Sequence, residues 1–268
     1  MPHRLSGLPV TTMLPPGGVT AALFGPLLAA DPHRPRLIWH GAGRTELSTA
    51  SLVNWSAKSA GLLVDELGGR PGGTVVWRVR RSWQGVPLLL GSWWAGMVVT
   101  DLYDEAAESR AVAAFIDEDD DSAADEVIVA SSHPFGLGTD ALPAFYRHVS
   151  DAVLPQADRF SPRRPGAAAD SPAVVTTDGT YSVTEILDRT ARAAAAVGPA
   201  GRVLSTVDLT LPGRVCAALL GALAADGSLI QVTREAAAHG DRLARIAADE
   251  GATVTIGVDV EGLPRLRG

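Results

Sequence analysis

Short uninterrupted apolar runs alternate along the chain with longer stretches in which apolar residues return every third or fourth position. The first pattern marks buried strands, the second amphipathic helices. Residues 19–30 form the first helical stretch, stopped by Asp31 and Pro32. Residues 36–40 and 44–47 flank Gly41-Ala42-Gly43 as the arms of a hairpin. Ser48 then stands as the N-cap of a helix to Leu67, with Leu52, Trp55, Ser59, Leu62 and Leu63 on one face and Gly68-Gly69 ending it. A strand at 74–79, a helix at 84–95, and strands at 97–101, 114–116 and 126–130 follow. A helix over 140–151 closes this half.

Residues 155–172, PQADRFSPRRPGAAADSP, read as a linker. Beyond it the pattern repeats. Residues 180–186 open a helix as 44–52 do, and a strand at 201–207 matches the one at 73–79. A helix at 216–225, within LLGALAADG, mirrors LLLGSWWAG of the first half, and a strand at 228–233 mirrors 97–101. A helix over 235–250 and a strand over 253–258 finish the series. The organisation predicted is a disordered N-terminus over 1–18, a first subdomain over 19–152, a linker over 153–172 and a similar second subdomain over 173–268. Such alternation, with near-continuous apolar strands, predicts an α/β fold of two similar open, mostly parallel sheets with helices on both faces. Ligands of open sheets gather at the carboxyl ends of the strands.

The chain is 46% apolar and carries a net charge of −7, which argues against the clustered basic surface of a nucleic-acid binder. Lys58 is the only lysine and reads as a solvated residue on a helix. Cys216 is the only cysteine, so there is no disulfide framework and no cysteine zinc site. Within its Ala/Leu-rich helix it reads as a small buried hydrophobe. No apolar run approaches the roughly 20 residues of a membrane span. The N-terminus lacks the apolar core of a signal peptide, with Met13 as an alternative start, and the cytoplasm is the compartment expected.

Residues 173–187, AVVTTDGTYSVTEIL, set a strand, a Thr/Gly turn and a helix start in series, a geometry that holds phosphate. The candidate binding residues are Thr176, Thr177, Asp178, Gly179 and Thr180, although Asp178 opposes a phosphate and no lysine accompanies them. His133, ahead of Pro134-Phe135-Gly136 at a strand end, is either a second ligand contact or a plain turn residue. The run 117–121, DEDDD, lacks EF-hand spacing and reads as a solvated acidic loop. His3, His33, His40, His148 and His239 show no metal-ligand spacing, and no G-x-S-x-G elbow exists. Trp77, Trp83, Trp93 and Trp94 read as core. Trp93 and Trp94, adjacent on a helix, must face different ways, which leaves one to cover a cleft or a partner.

Thr45-Glu46-Leu47, residues 69–75 and Ala95-Gly96 form an ordered series that resembles the start of the adenylate-forming superfamily of acyl-CoA synthetases, luciferases and peptide-synthetase adenylation domains. There the pattern is T-Y-x-E-L, then G-x-x-x-G-D-x-V, then a helix ending in A-G; here Gly73 replaces the aspartate. The resemblance runs through most of the chain. Through His133-Pro134-Phe135-Gly136 it is nearest to short actinobacterial relatives of AMP-binding enzymes. It implies the fold of a truncated N-terminal domain of an acyl-CoA synthetase and leaves the cofactor unknown, with ATP, AMP or CoA as the candidates. It also sets residues 176–185 against the phosphate loop T-S-G-T-T-G-x-P-K-G. Thr177, Gly179 and Thr180 remain, two glycines, the proline and the lysine are lost, and Asp178 would repel a triphosphate. Residues 207–213 match P-x-x-H-x-x-G with Asp208 for the proline and Leu211 for the histidine. The family's adenine, ribose and magnesium segments and its C-terminal lysine have no match in the sequence. Charge at the reacting phosphorus normally needs lysine and Mg²⁺. The resemblance therefore implies a protein unable to adenylate a carboxylic acid alone, serving as a binding or partner protein. Two other readings stand beside it: a reduced acyl-activating enzyme completed by another subunit, and a nucleotide- or CoA-binding module without turnover. Substrate, partner and oligomeric state are not legible.

Overall fold

The computed structural model describes residues 18–138, 141–162, 168–238 and 241–266. The expected disordered N-terminus, up to residue 17, lies outside them. Helix α1 (Gly18–Ala30) precedes the hairpin β1 (Pro35–His40) and β2 (Arg44–Ser48). Ser48 accepts from the Ser51 backbone N–H and starts α2 (Thr49–Gly61), which continues as a π-helical segment, Leu62–Glu66. Then come β3 (Thr74–Arg78), α3 (Gly85–Trp94), β4 (Val98–Thr100), the one-turn α4 (Glu105–Glu108) and β5 (Ala113–Asp117). β6 (Val127–Ala130), β7 (Tyr146–His148) and the one-turn α5 (Val149–Ala152) follow. A second hairpin, β8 (Pro172–Thr176) and β9 (Gly179–Ser182), leads into α6 (Val183–Val197), where Ser182 and Glu185 cap each other's backbone N–H. After β10 (Arg202–Ser205), a π-helical segment, Val215–Leu220, runs into α7 (Gly221–Ala224). The chain ends with β11 (Ser228–Val232), α8 (Arg234–Ala237), α9 (Arg242–Asp249), β12 (Val254–Ile256) and β13 (Arg265–Leu266).

The strands form two sheets, ordered β13-β12-β10-β11-β1-β2 and β7-β6-β5-β3-β4-β8-β9. All pairings are parallel except the two hairpins at one edge of each. The repeat seen in the sequence is real, but its hairpins are exchanged. β1 pairs with β11 of the second repeat, and β8 pairs with β4 of the first. A cut at 153–172 therefore does not separate the sheets: each takes strands from both sides of it. The cross-connection is locked by Arg36, which is fully buried. Its guanidinium donates to Asp226 at 2.7 Å, to the Gly227 carbonyl at 3.1 Å and to Thr49 Oγ1 at 2.8 Å.

Strand periodicity sorts the core into layers. Leu37, Trp39, Val203 and Leu229 of the first sheet and Val75, Trp77, Phe115 and Ile128 of the second share one cluster with α1, α2, α3, α6 and α7. These helices thus form a middle layer between the sheets. The alternate positions, Ile38, Leu204 and Ile230 on one side and Val76, Ala114 and Val129 on the other, face two smaller outer clusters. No described helix is long and apolar enough to cross a membrane.

Several expectations are corrected. The helix over 140–151 is instead β7 followed by one turn. Pro143 and Phe145, whose φ of 75° is left-handed, oppose a helix, and Tyr146–His148 pair with β6. The helix over 235–250 is two helices, α8 and α9. Lys58 is not solvated: its ammonium donates to the carbonyls of Leu154 at 2.9 Å and Gln156 at 2.5 Å and pairs with Asp158 at 2.7 Å. The near end of the expected linker is thereby tied to α2. At its far end Pro172 already belongs to β8. Neither Trp93 nor Trp94 covers a cleft. Trp93 is buried and donates to the Ala173 carbonyl, and Trp94 packs edge-on against Phe24 and Phe160.

Candidate functional site

The carboxyl ends of the strands of the two sheets converge on a cleft. The second sheet supplies Arg81 after β3, Asp117 at the end of β5 and Ser132 after β6; the first supplies Thr233 after β11 and the β1–β2 turn, Gly41-Ala42. They enclose a cavity of about 440 Å³, closed on one side by Glu235 and Arg242 at the starts of α8 and α9. A second hollow of about 310 Å³ shares Arg81, Asp117 and Asp119 and extends to Tyr103 and Asp208.

The acidic run 117–121 builds one wall of this cleft: Glu118, Asp119 and Asp121 are exposed, as a solvated loop would have them, whereas Asp117 is buried. Asp117 is buried and accepts from the backbone N–H groups of Arg80 at 2.8 Å and Arg81 at 3.3 Å. Burial raises its carboxyl above the ordinary aspartate value despite those bonds. Asp120 takes the Arg78 guanidinium at 2.8 Å, Asp119 pairs with Arg81, and Glu118 accepts from the Ser132 hydroxyl at 2.9 Å. Arg78, itself buried, also donates to Glu108 at 2.6 Å and lies 4.1 Å over the Tyr103 ring. Burial pushes Glu108 up, but the bonds from Arg78, Ser122 and the Ala123 N–H outweigh it and hold the carboxyl below its usual value. Among the described residues no group of three or more His, Cys, Asp or Glu could hold a metal ion.

The five residues proposed for phosphate form a tight hairpin at the carboxyl edge of the second sheet. Thr176 pairs with Gly179 across a two-residue turn, Thr177-Asp178. The ladder thus occupies backbone that a phosphate cradle would turn toward its ligand. Thr176 is buried and its hydroxyl accepts from the Asp178 N–H at 3.2 Å, while Thr177, Asp178, Gly179 and Thr180 are exposed. Gly179 has φ 139°, the left-handed side that glycine supplies cheaply. Asp178 bears on Asp101, whose carboxyl is raised first by its own burial and, more weakly, by Asp178. None of the five lines the two hollows described above.

His133 also stays out of the cavity. Its Nδ1 accepts from the Phe135 N–H at 3.2 Å, so the ring closes its own turn. The loop around it is a clasp. Gln84 donates to the Gly136 carbonyl at 3.1 Å and accepts from the Ser131 N–H at 2.9 Å, and Thr45 of β2 donates to the Pro134 carbonyl at 2.7 Å. Gly136 has φ 69° and sits so close to Gln84 and Trp83 that a Cβ has no room. Cys216 is buried, and burial pushes its thiol up to about 11, which leaves it inert. Arg81, Thr233 and Arg242 had no motif to announce them. The available signal was their position just after strands or at a helix start, where open sheets collect ligands.

No family model matches the chain. A protein of Mycobacterium tuberculosis described as a TIGR03089 family protein is 34% identical over 236 residues, 82% of this chain and 91% of that one. Among solved structures, coronafacic acid ligase of Pectobacterium brasiliense superposes with a TM-score of 0.71 at 12% identity, over 89% of this chain and 49% of its own. The anthranilate CoA ligase AuaEII bound to anthranoyl-AMP gives 0.72 at 13% identity, over 95% and 51%. The fatty acyl-adenylate ligase of L. pneumophila, bound to acyl adenylate and pyrophosphate, gives 0.67 at 12% identity, over 90% and 44%. The chain spans about half the length of these ligases and has their α/β fold over that half. Likeness at such identities is one of fold. The closer kinship is with the mycobacterial protein, along most of both chains, and the chain belongs to the TIGR03089 family.

Proposed function

We propose that this protein does not form acyl adenylates by itself and acts as a binding protein of adenylate-forming descent, its ligand seated in the cleft between the two sheets. One observation carries this reading: the segment that resembles the family's triphosphate loop is a two-residue turn tipped by the exposed carboxylate of Asp178. A triphosphate needs several inward N–H groups and compensating cations. Here the backbone flanking the turn is paired in a ladder and the added charge is of the wrong sign. Lys58, the chain's one lysine, is held by the backbone around Gln156. The cleft, by contrast, is open and lined from both sheets, with charged side chains among the lining residues.

The test is ATP–pyrophosphate exchange by the pure protein with a panel of aliphatic and aromatic carboxylic acids. The expected result is exchange no higher than in a protein-free blank; exchange at a rate typical of an acyl-activating enzyme would overturn the proposal. Calorimetric titration with ATP, AMP and CoA on the same preparation separates a nucleotide-binding module from a protein whose ligand is of another kind.

A further inference from the structure

We infer that the cleft is built for a small zwitterion, a molecule carrying one acid group and one protonated amine in the manner of an α-amino acid. The inference rests on the binding-protein reading for the location of the site, and on the charges of the cavity wall for the ligand's chemistry. Two arginines and four carboxylates line the cavity, Arg81 and Arg242 against Asp117, Glu118, Asp119 and Glu235, so acidic groups outnumber basic ones. Arg81 is already committed to Asp119 and Asp117. Arg242 is half-buried and has no ion-pair or hydrogen-bond partner among the described residues. A guanidinium in that position presents a planar fork of N–H donors suited to a carboxylate.

On the acidic side, Glu118 accepts from the Ser132 hydroxyl, and Glu235 is held below its usual value first by its own backbone N–H and then by the Thr233 hydroxyl. Both are exposed at the rim, and neither forms an ion pair among the described residues, although the charges of Arg81 and Arg234 bear on Glu235 from a distance. The groups left over are therefore one cation and two anions. A simple organic anion would satisfy Arg242 and be repelled by Glu118 and Glu235; a simple amine would leave the Arg242 fork to water. A zwitterion meets both, its acid on Arg242 and its ammonium toward Glu118 and Glu235. The volume of about 440 Å³ lies in the range of small-molecule sites. Gly41, Ala42 and Ala236 keep the remaining wall small and leave room for a side chain.

The experiment titrates the full chain with each of the twenty common L-amino acids in turn. The best binder is then compared with its analogue lacking the amine and its analogue lacking the carboxylate. The expected result is saturable one-to-one binding of at least one amino acid, weakened about tenfold or more by removal of either group, as for loss of a hydrogen bond to a charged partner. Arg242→Gln and Glu235→Gln should each weaken it to a similar degree while the melting temperature stays within about 2 °C of the parent. The proposal is overturned if no amino acid binds at ~10 mM, beyond even very weak affinity. It is equally overturned if the amine-free analogue binds as well as the amino acid, or if both variants bind normally. Pyrophosphate exchange on the same preparation judges the non-adenylating reading independently of these outcomes.

Discussion

Glu250 shows how much one side chain contributes to holding the first hairpin in a foreign sheet. It stands just after α9, nearly buried; its Oε1 accepts from Arg44 Nε at 2.7 Å and lies 2.9 Å from His40 Nε2, and its Oε2 accepts from Arg44 Nη2 at 3.1 Å. The Arg44 hydrogen bond is the largest influence on its carboxyl and, against the opposing effect of burial, holds it below the ordinary glutamate value of 4.5. A carboxyl whose folded pKa is depressed stabilises the fold above its unfolded pKa, and that contribution disappears as pH falls through the folded value. Glu250→Gln should therefore cost about 1–2 kcal/mol at neutral pH, the size of a charge-assisted hydrogen bond exchanged for a neutral one. The gap between parent and variant should close as the pH drops below about 4.5. Urea unfolding at a series of pH values measures it; a gap of constant size across the acid range would refute the linkage.

At the scale of elements, the two repeats meet their neighbours through the same device, a glycine at a helix crossing. A Cβ on Gly91 in α3 would lie 2.5 Å from Ser59 Cβ and 2.7 Å from the Ser56 carbonyl in α2. A Cβ on Gly221 in α7 would lie 2.7 Å from Ala193 Cβ in α6. Gly91→Ala and Gly221→Ala should each destabilise by about 1–3 kcal/mol through overpacking, even after the gain in helix propensity. Gly213, also helical, has open space where a Cβ would stand, with nothing within 4 Å, and Gly213→Ala should be neutral or stabilising by up to about 1 kcal/mol. Thermal melts of the three variants decide it, and a Gly91→Ala protein as stable as Gly213→Ala would show that the crossing has slack. This repeat was legible in the sequence, because LLLGSWWAG and LLGALAADG each carry the glycine straight after a Leu-Leu pair. The serine caps and most strands were legible for the same local reasons. β7 was not: three residues pair with β6 only because the fold brings them there, and the apolar spacing around them imitates a helix. The turn at Thr177-Asp178 could be located from sequence, but its ladder geometry could not. The cleft was illegible because its wall is assembled from segments as far apart as Gly41, Asp117 and Arg242.

The exchange of hairpins is a property of the whole molecule, and it makes the two repeats interdependent. With the chain cut between 162 and 168, the first piece retains β1 and β2 but loses β11, on which they pair, and exposes the edge of β4 that β8 covers. The second piece is left with the converse defects. Unpaired edges of this kind favour aggregation over folding, and Arg36, fully buried in the intact protein, would lose its partner Asp226 as well. Buried charges deprived of their partners cost several kcal/mol, a large share of a domain's total stability. The fragments 1–162 and 168–268 should therefore each lack a cooperative melt when expressed alone, and mixing them should restore one. All six tryptophans lie in the first fragment, so its emission alone reports the docking of the second. A blue shift that saturates near one equivalent, with recovery of the parent far-ultraviolet circular dichroism, is the expected result. A fragment that melts cooperatively by itself would mean that its sheet closes without the borrowed hairpin, and that the linear division at 153–172 describes folding units even though it does not describe the sheets.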